Sequence, residues 1–306
     1  MKTITLGKTG LTVPAIVAGC MRINKVDEKT ASRFIQNALD LGVNFFDHAD
    51  IYGKSACEEI FSRAIGMNAA VREKIILQSK CGIVSGKYYD FSKEHILEAL
   101  EGSLKRLKTD YLDVLLLHRP DMLVEPEEVA EAFDILHNSG KVRHFGVSNH
   151  NPMQIELLQK YVRQPLHVNQ LQLSITNSAM IGAGIYVNTL TDGAVMRDGS
   201  VLDYCRLKDI TIQSWSPFQY GTFAGTFLQN EQFPELNRKL SELAEKHRTT
   251  SATIAAAWIL RHPAQFQLIT GTWSIEHFTD CVNALEIRLS REDWYALYLS
   301  AGNTLP

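Results

Sequence analysis

Eight short apolar runs recur along the chain, with helical-period segments between them. They occupy 15–19, 44–47, 75–79, 111–117, 144–147, 168–171, 211–215 and 267–270. A run that stays apolar on both of its alternating faces fits a parallel strand covered on both sides, and parallel strands need crossover helices. The helices supply their own signals. Segment 27–42 offers Asp27 as N-cap, a face of Phe34, Ile35, Ala38 and Leu39, and Gly42 past its end. Segment 92–107 has Ser92 as cap and a stripe of Leu97, Leu100, Leu104 and Leu107, and 151–161 opens on Asn151 and Pro152. Further helices are expected near 126–138, 234–246, 251–261 and 291–299. Eight such units in 306 residues point to a closed (β/α)8 barrel, read as a single domain over 1–306. A flat doubly wound sheet is the runner-up. No G-x-G-x-x-G follows the first run, so the phosphate loop of such a sheet is missing.

The two ends of this pattern differ from its middle. Two alternating runs flanking Gly7 to Gly10 predict an N-terminal β-hairpin. The longest irregular stretch, 174–199, reads as a functional or mobile loop. A hydrophobic share of 45% is enough for a large core, and a net charge of −3 without a lysine or arginine run excludes a nucleic-acid or acidic-membrane partner. No stretch approaches the roughly 20 apolar residues that cross a bilayer, and the first residues lack a secretion signal. Five scattered cysteines, Cys20, Cys57, Cys81, Cys205 and Cys281, predict reduced thiols, a cytoplasmic location and no metal site.

Barrel chemistry sits at the C-terminal ends of the strands. Residues predicted there are Asp47 with Tyr52 in its loop, Lys80, His118, Ser148-Asn149, Gln170, Trp215-Ser216 and Gly271-Thr272. Taken singly, Asp47 and Tyr52 read as loop residues, Lys80 as half of a structural ion pair, His118 as a core histidine and Arg119 as a solvated or ion-paired residue. Taken together, four of them form a proton-transfer set. A phenol titrates near 10; an ammonium beside it is expected to lower that value, a carboxylate to anchor the ammonium, and an imidazole to hydrogen-bond a carbonyl oxygen. Trp215 offers a face to a nicotinamide ring or simply fills the barrel mouth. Ser148, Asn149 and Gln170 offer polar groups to its carboxamide or satisfy buried backbone. Gly271-Thr272 leads into a helix N-terminus capped by Ser274, suited to a phosphate. Phe218, Tyr220 and Phe223 either line the pocket or cover an apolar edge.

Seven motifs in order, "GVNFFDHADIYG", "LQSK", "LLLHRP", "GVSNH", "NQLQLS", "QSWSPF" and "ITGTWSIEHF", resemble those of the aldo-keto reductase superfamily across essentially the whole chain. The resemblance implies a cytosolic oxidoreductase that reduces small-molecule aldehydes or ketones with NADP(H), with NAD(H) possible. It assigns catalysis to Tyr52, Asp47, Lys80 and His118. It places cofactor contacts at Gly19, Cys20, Met21, Asp47, Ser148, Asn149, Gln170, Trp215, Ser216, Pro217, Phe218, Gly271, Thr272, Trp273, Ser274, His277, Asp280 and Cys281. A catalytically slow NADPH-binding regulatory subunit on the same fold is the alternative. The chain departs from the family pattern in places. Segment 271–281 holds no arginine or lysine for a 2′-phosphate and offers His277 beside Glu276 instead. Cys281 stands where asparagine is common, and Trp273 where a small hydroxyl residue is common. The oligomeric state stays open, with a monomer compatible.

Overall fold

The computed structural model describes residues 2–221 and 224–305; Phe223 lies outside the described residues. The chain runs through β1 Thr3–Thr5, β2 Thr12–Pro14, β3 Ile16–Gly19, α1 Glu28–Asp40, β4 Phe45–Asp47, α2 Ala56–Ala64, α3 Ala69–Arg72, β5 Ile76–Cys81, β6 Ile83–Val84 and β7 Tyr88–Tyr89. It continues through α4 Lys93–Leu107, β8 Leu112–Leu117, α5 Pro126–Asn138, β9 Val142–Ser148, α6 Pro152–Tyr161, β10 Leu166–Gln172, α7 Ala179–Ile185 and α8 Val201–Lys208. It ends with β11 Thr211–Trp215, α9 Pro234–His247, α10 Ser251–Leu260, β12 Gln267–Thr270, α11 Ile275–Asn283 and α12 Arg291–Ser300. Eight of the strands form a closed barrel in the order β3-β4-β5-β8-β9-β10-β11-β12, all neighbours parallel. Closure is made where β12 returns to β3, with Leu268 opposite Ile16 and Thr270 opposite Ala18. The barrel of the sequence reading is therefore the observed architecture, and the doubly wound alternative is not.

The hairpin β1–β2 closes the bottom of this barrel. Its Leu6 and Val13 are fully buried. The Gly7 amide donates to Thr211 Oγ1 at 2.7 Å, at the start of β11. Gly7 has φ +49°, and a Cβ there would lie 2.7 Å from the His167 carbonyl oxygen, so glycine is required on both counts. With the lower end sealed, the mouth formed by the strands' C-terminal ends is the face left for a ligand.

Helix starts follow their caps. Asp27 Oδ1 accepts from the Thr30 amide at 2.8 Å, and Asn151 and Gln154 cap each other reciprocally. On the outside, Trp258 of α10 and Trp294 of α12 stack with centroids 4.8 Å apart, and each indole N–H donates to the other's carbonyl at 3.0 Å. Segment 174–199 is more ordered than expected. It contains α7 and a 3-10 turn at Asp192–Ala194, and Tyr186 Oη donates to the Thr304 carbonyl at 2.8 Å. The helix "AMIGAGI" is built of small residues without an amphipathic stripe, so periodicity does not reveal it. Among the described residues, no helix is long and apolar enough to cross a membrane.

Candidate active site

β4 ends at Asp47, and the chain leaves the barrel through a tight loop. Gly53, Lys54 and Ser55 all take positive φ, +60°, +56° and +72°, which turns Tyr52 back over the mouth. A Cβ on Gly53 would lie 2.7 Å from Cys57 Sγ, so this turn too needs glycine. β5 runs two residues further than periodicity suggests, to Cys81, and Lys80 stands inside the strand.

The Lys80 ammonium is fully buried, and its three protons are all used. Nζ donates to Asp47 Oδ2 at 2.9 Å, to the His48 carbonyl at 2.6 Å and to Tyr52 Oη at 3.1 Å. Burial opposes its charge, but Asp47 and then Tyr52 more than compensate, and the ammonium titrates above a free lysine. The Tyr52 phenol behaves differently from the sequence expectation. Burial lifts its pKa, and Asp47 adds to that; the lowering by Lys80 does not overcome them, so it sits above the 10 of a free phenol. Desolvation, with Asp47 second to it, outweighs the ammonium, and Tyr52 is held protonated at neutral pH.

Asp47 is held from behind by an amide chain that the sequence does not announce. Its Oδ1 accepts from Gln78 Nε2 at 2.7 Å and from Gln170 Nε2 at 3.0 Å. Both amides also donate to Gln213 Oε1, at 2.8 and 3.0 Å. Gln213 Nε2 donates onward to Gln78 Oε1 at 3.0 Å and to Gln267 Oε1 at 2.8 Å, and Gln267 Nε2 ends the chain on the Pro14 carbonyl at 2.8 Å. Gln78, Gln213 and Gln267 are fully buried. An ionised carboxylate only accepts, so it dictates the direction of every amide behind it.

His118 follows β8 and meets Tyr52 edge-on, ring centroids 5.8 Å apart. Burial first, then Lys80 and Arg119, push its pKa well below the usual imidazole value. It is a neutral ring, and its Nδ1 is buried without a hydrogen-bond partner among the described residues. His48 faces away from this group, against Phe61 at 4.6 Å. Asp50 is buried and held up to about 7, by desolvation first and by Glu58 second.

These groups floor one end of a cleft of about 980 Å³. Of the predicted site residues, Gly19, Met21, Asp47, Tyr52, His118, Ser148, Asn149, Gln170, Trp215, Ser216, Pro217, Phe218, Gly271, Thr272, His277 and Asp280 line it. Trp215 donates its indole N–H to Asn149 Oδ1 at 3.3 Å, Asn149 Nδ2 donates to Ser148 Oγ at 2.8 Å, and Ser148 Oγ to the Gln170 carbonyl at 3.0 Å. Because Gln170 Nε2 is committed to Asp47 and Gln213, its side-chain oxygen is the group it can offer a ligand.

Four predicted contacts are absent from this lining. Cys20 and Cys281 are fully buried, the latter with its thiol on Thr270 Oγ1 at 3.6 Å. Trp273 packs its ring on Phe34 at 4.6 Å. Ser274 caps α11 by accepting from the His277 amide at 3.3 Å, as its sequence position suggests. Tyr220 likewise turns to Phe233, 5.2 Å away, leaving Phe218 in the cleft. Conversely, Arg22 and Arg119 line the cleft although sequence reasoning gave them no such place. A Cβ on Gly271 would lie 3.7 Å from Arg22 Nη1, so a cation missing from 271–281 is brought there from the loop after β3.

A nicotinamide dinucleotide fits this donor set. The cleft joins an aromatic face and carboxamide-sized polar groups at one end to a guanidinium and a capped helix start at the other. The site thus defines a class: a (β/α)8 barrel with a phenol–ammonium pair and an elongated polar cleft at its catalytic mouth. Residues 15–298 match the model of the aldo/keto reductase family. The uncharacterised oxidoreductase YcsN of Bacillus subtilis is 34% identical over 296 residues, 92% of each chain. A 6-dehydroglucose reductase of Agrobacterium fabrum is 32% identical over 305 residues, 95% of each chain. The crystal structure of the thermostable aldo-keto reductase Tm1743 with the inhibitor epalrestat superposes with a TM-score of 0.79 at 26% identity, over 98% of this chain and 100% of that one. The chain belongs to the aldo/keto reductase family, a family of oxidoreductases that use nicotinamide cofactors.

Proposed function

We propose that this protein reduces aldehydes or ketones to alcohols with NADP(H) or NAD(H), and that Tyr52 is the proton donor. The observation that carries this reading is the buried ammonium of Lys80 within hydrogen-bond distance of both Asp47 and Tyr52 at the floor of the cleft. A bound reduced nicotinamide supplies the hydride. Trp215 gives the ring a flat support, and Ser148, Asn149 and Gln170 orient its carboxamide. Tyr52 passes its proton to the carbonyl oxygen as that oxygen becomes an alkoxide. Lys80 steadies the phenolate left behind, and Asp47 keeps Lys80 charged and in place. Neutral His118 donates an N–H to the same oxygen and so stabilises the developing charge. A phenol held above its free pKa is matched to this direction, because it arrives protonated.

Met21 and Gly19 form the wall near the ring, and Gly271, Thr272, His277 and Asp280 the wall toward the adenosine. With one exposed guanidinium, Arg22, at that wall and two carboxylates, Glu276 and Asp280, lining the same cleft, discrimination between NADPH and NADH is modest. Their dissociation constants differ by less than about a hundredfold, roughly 2.8 kcal/mol. The test is loss of reduced-nicotinamide absorbance against a panel of carbonyl compounds, wild type beside Tyr52→Phe. The variant keeps cofactor affinity and loses about a thousandfold or more in turnover. Near wild-type turnover by Tyr52→Phe removes the phenol from the mechanism.

A further inference from the structure

β8 delivers a second charge to the mouth. Arg119 follows His118, is half-buried, and lines the same cleft. Among the described residues its guanidinium has neither a carboxylate nor a hydrogen-bond acceptor; its contact is the Trp215 ring, 5.7 Å from the centroid. Its N–H donors remain open to the cleft, and a guanidinium can only donate, so they are free for an acceptor that a ligand brings. The neighbours that do line the cleft are committed elsewhere: Asp47 to Lys80 and two amides, Asn149 Oδ1 to Trp215.

Topology says which ligand can satisfy it. In the closed ring β8 lies four strands from β12, halfway round the barrel. Arg119 therefore springs from the side of the mouth opposite the 271–280 wall, where Arg22 stands, and its guanidinium reaches inward as far as the Trp215 ring of β11. It borders the reacting end, next to His118 and Trp215. A further cavity of about 440 Å³ opens there, with Pro120 and Asn149 in its wall together with His150, Asn177 and Arg197. That cavity's wall is mixed, with Leu171, Met180 and Val201 beside the polar groups, so it is the unpaired guanidinium that calls for oxygen atoms on the substrate.

We propose that Arg119 selects oxygen-rich carbonyl substrates, aldehydes or ketones that carry a carboxylate or hydroxyl a few bonds from the reacting carbon. The inference rests on the reductase reading above. Carboxylate and hydroxyl oxygens share the chemistry a guanidinium needs, whereas an alkyl chain leaves the donors stripped.

The experiment compares kcat/KM for pentanal, succinic semialdehyde and glyceraldehyde in wild type, R119M and R119K, with NADPH dissociation constants measured in each. In wild type at least one oxygenated aldehyde exceeds pentanal by about tenfold or more, mainly through KM, the size expected of one charge-assisted hydrogen bond. In R119M that ratio falls to within about threefold of unity, and R119K restores part of it for a carboxylate. A collapse confined to succinic semialdehyde identifies an anionic substrate, and one confined to glyceraldehyde a hydroxylated one; either supports the proposal. A wild-type preference for pentanal, or a ratio that survives in both variants, overturns it. So does an NADPH constant that moves as much as the substrate ratio, since Arg119 would then serve the cofactor. Failure of wild type to oxidise NADPH with any carbonyl is a different result and strikes the reductase reading itself.

Discussion

The two ends of the cleft are built on opposite plans. At the floor of the reacting end the charged pair Lys80 and Asp47 is buried and held by several partners, while Arg119 at its border is half-buried. Lys80 makes three hydrogen bonds and Asp47 accepts three, two of them from an amide chain that runs through the barrel to the Pro14 carbonyl. At the adenosine end Glu276, His277 and Arg22 are exposed, and Ser274 spends its hydroxyl on its own helix. The difference follows from solvation. A buried charge without partners costs several kcal/mol, so the reacting end admits one arrangement. An exposed charge costs little to move or exchange, so the other end tolerates the departure seen at exposed His277. The proposed chemistry thus rests on the floor, and the proposed choice of cofactor on the rim.

Substitutions can break this contrast. Lys80→Met removes the tuning cation and strands the Asp47 carboxylate. It lowers kcat/KM by about a thousandfold or more and destabilises the fold by about 3–5 kcal/mol, read by steady-state kinetics and chemical denaturation. Gln213→Leu leaves Lys80 and Tyr52 untouched but cuts the amide chain in the middle. It costs about 1–3 kcal/mol of stability, and kcat falls about tenfold as Asp47 loses its fixed orientation, while the cofactor dissociation constant stays within about threefold. Arg22→Met, at the exposed end, raises the cofactor dissociation constant about tenfold and flattens its dependence on salt, with denaturation unchanged. Equal effects of Gln213→Leu and Arg22→Met on stability would erase the distinction between floor and rim.

The same contrast explains what was legible beforehand. Helices with side-chain caps, such as those at Asp27, Ser92 and Asn151, announce themselves. α2 and α8 start instead from Ser55 and Ser200 in left-handed backbone with no capping bond, and periodicity passes over them. Asp47, Tyr52, Lys80 and His118, which gather at the cleft floor, could be picked out because each stands near a strand end. Gln78, Gln213 and Gln267 could not: a glutamine within an apolar run has no local mark that its amide points into the barrel, and its partners are up to 135 residues away. Arg22 was missed for the same reason, since only closure of β12 onto β3 brings it to Gly271. The Tyr52 shift runs opposite to the sequence expectation because a sequence shows that a lysine is near but not how far desolvation of the phenol outweighs it.

The central claim is that a half-buried, ammonium-linked phenol gives up the proton, and the pH dependence of carbonyl reduction tests it most directly. An acid held above 10 by burial is protonated below that pH and loses its proton as pH rises through it. Single-turnover reduction is therefore level across neutrality and falls only on the alkaline side, above pH 10. A limb near pH 7 that vanishes in Asp50→Asn would match the group held at about 7 behind the loop and would contradict the assignment to Tyr52.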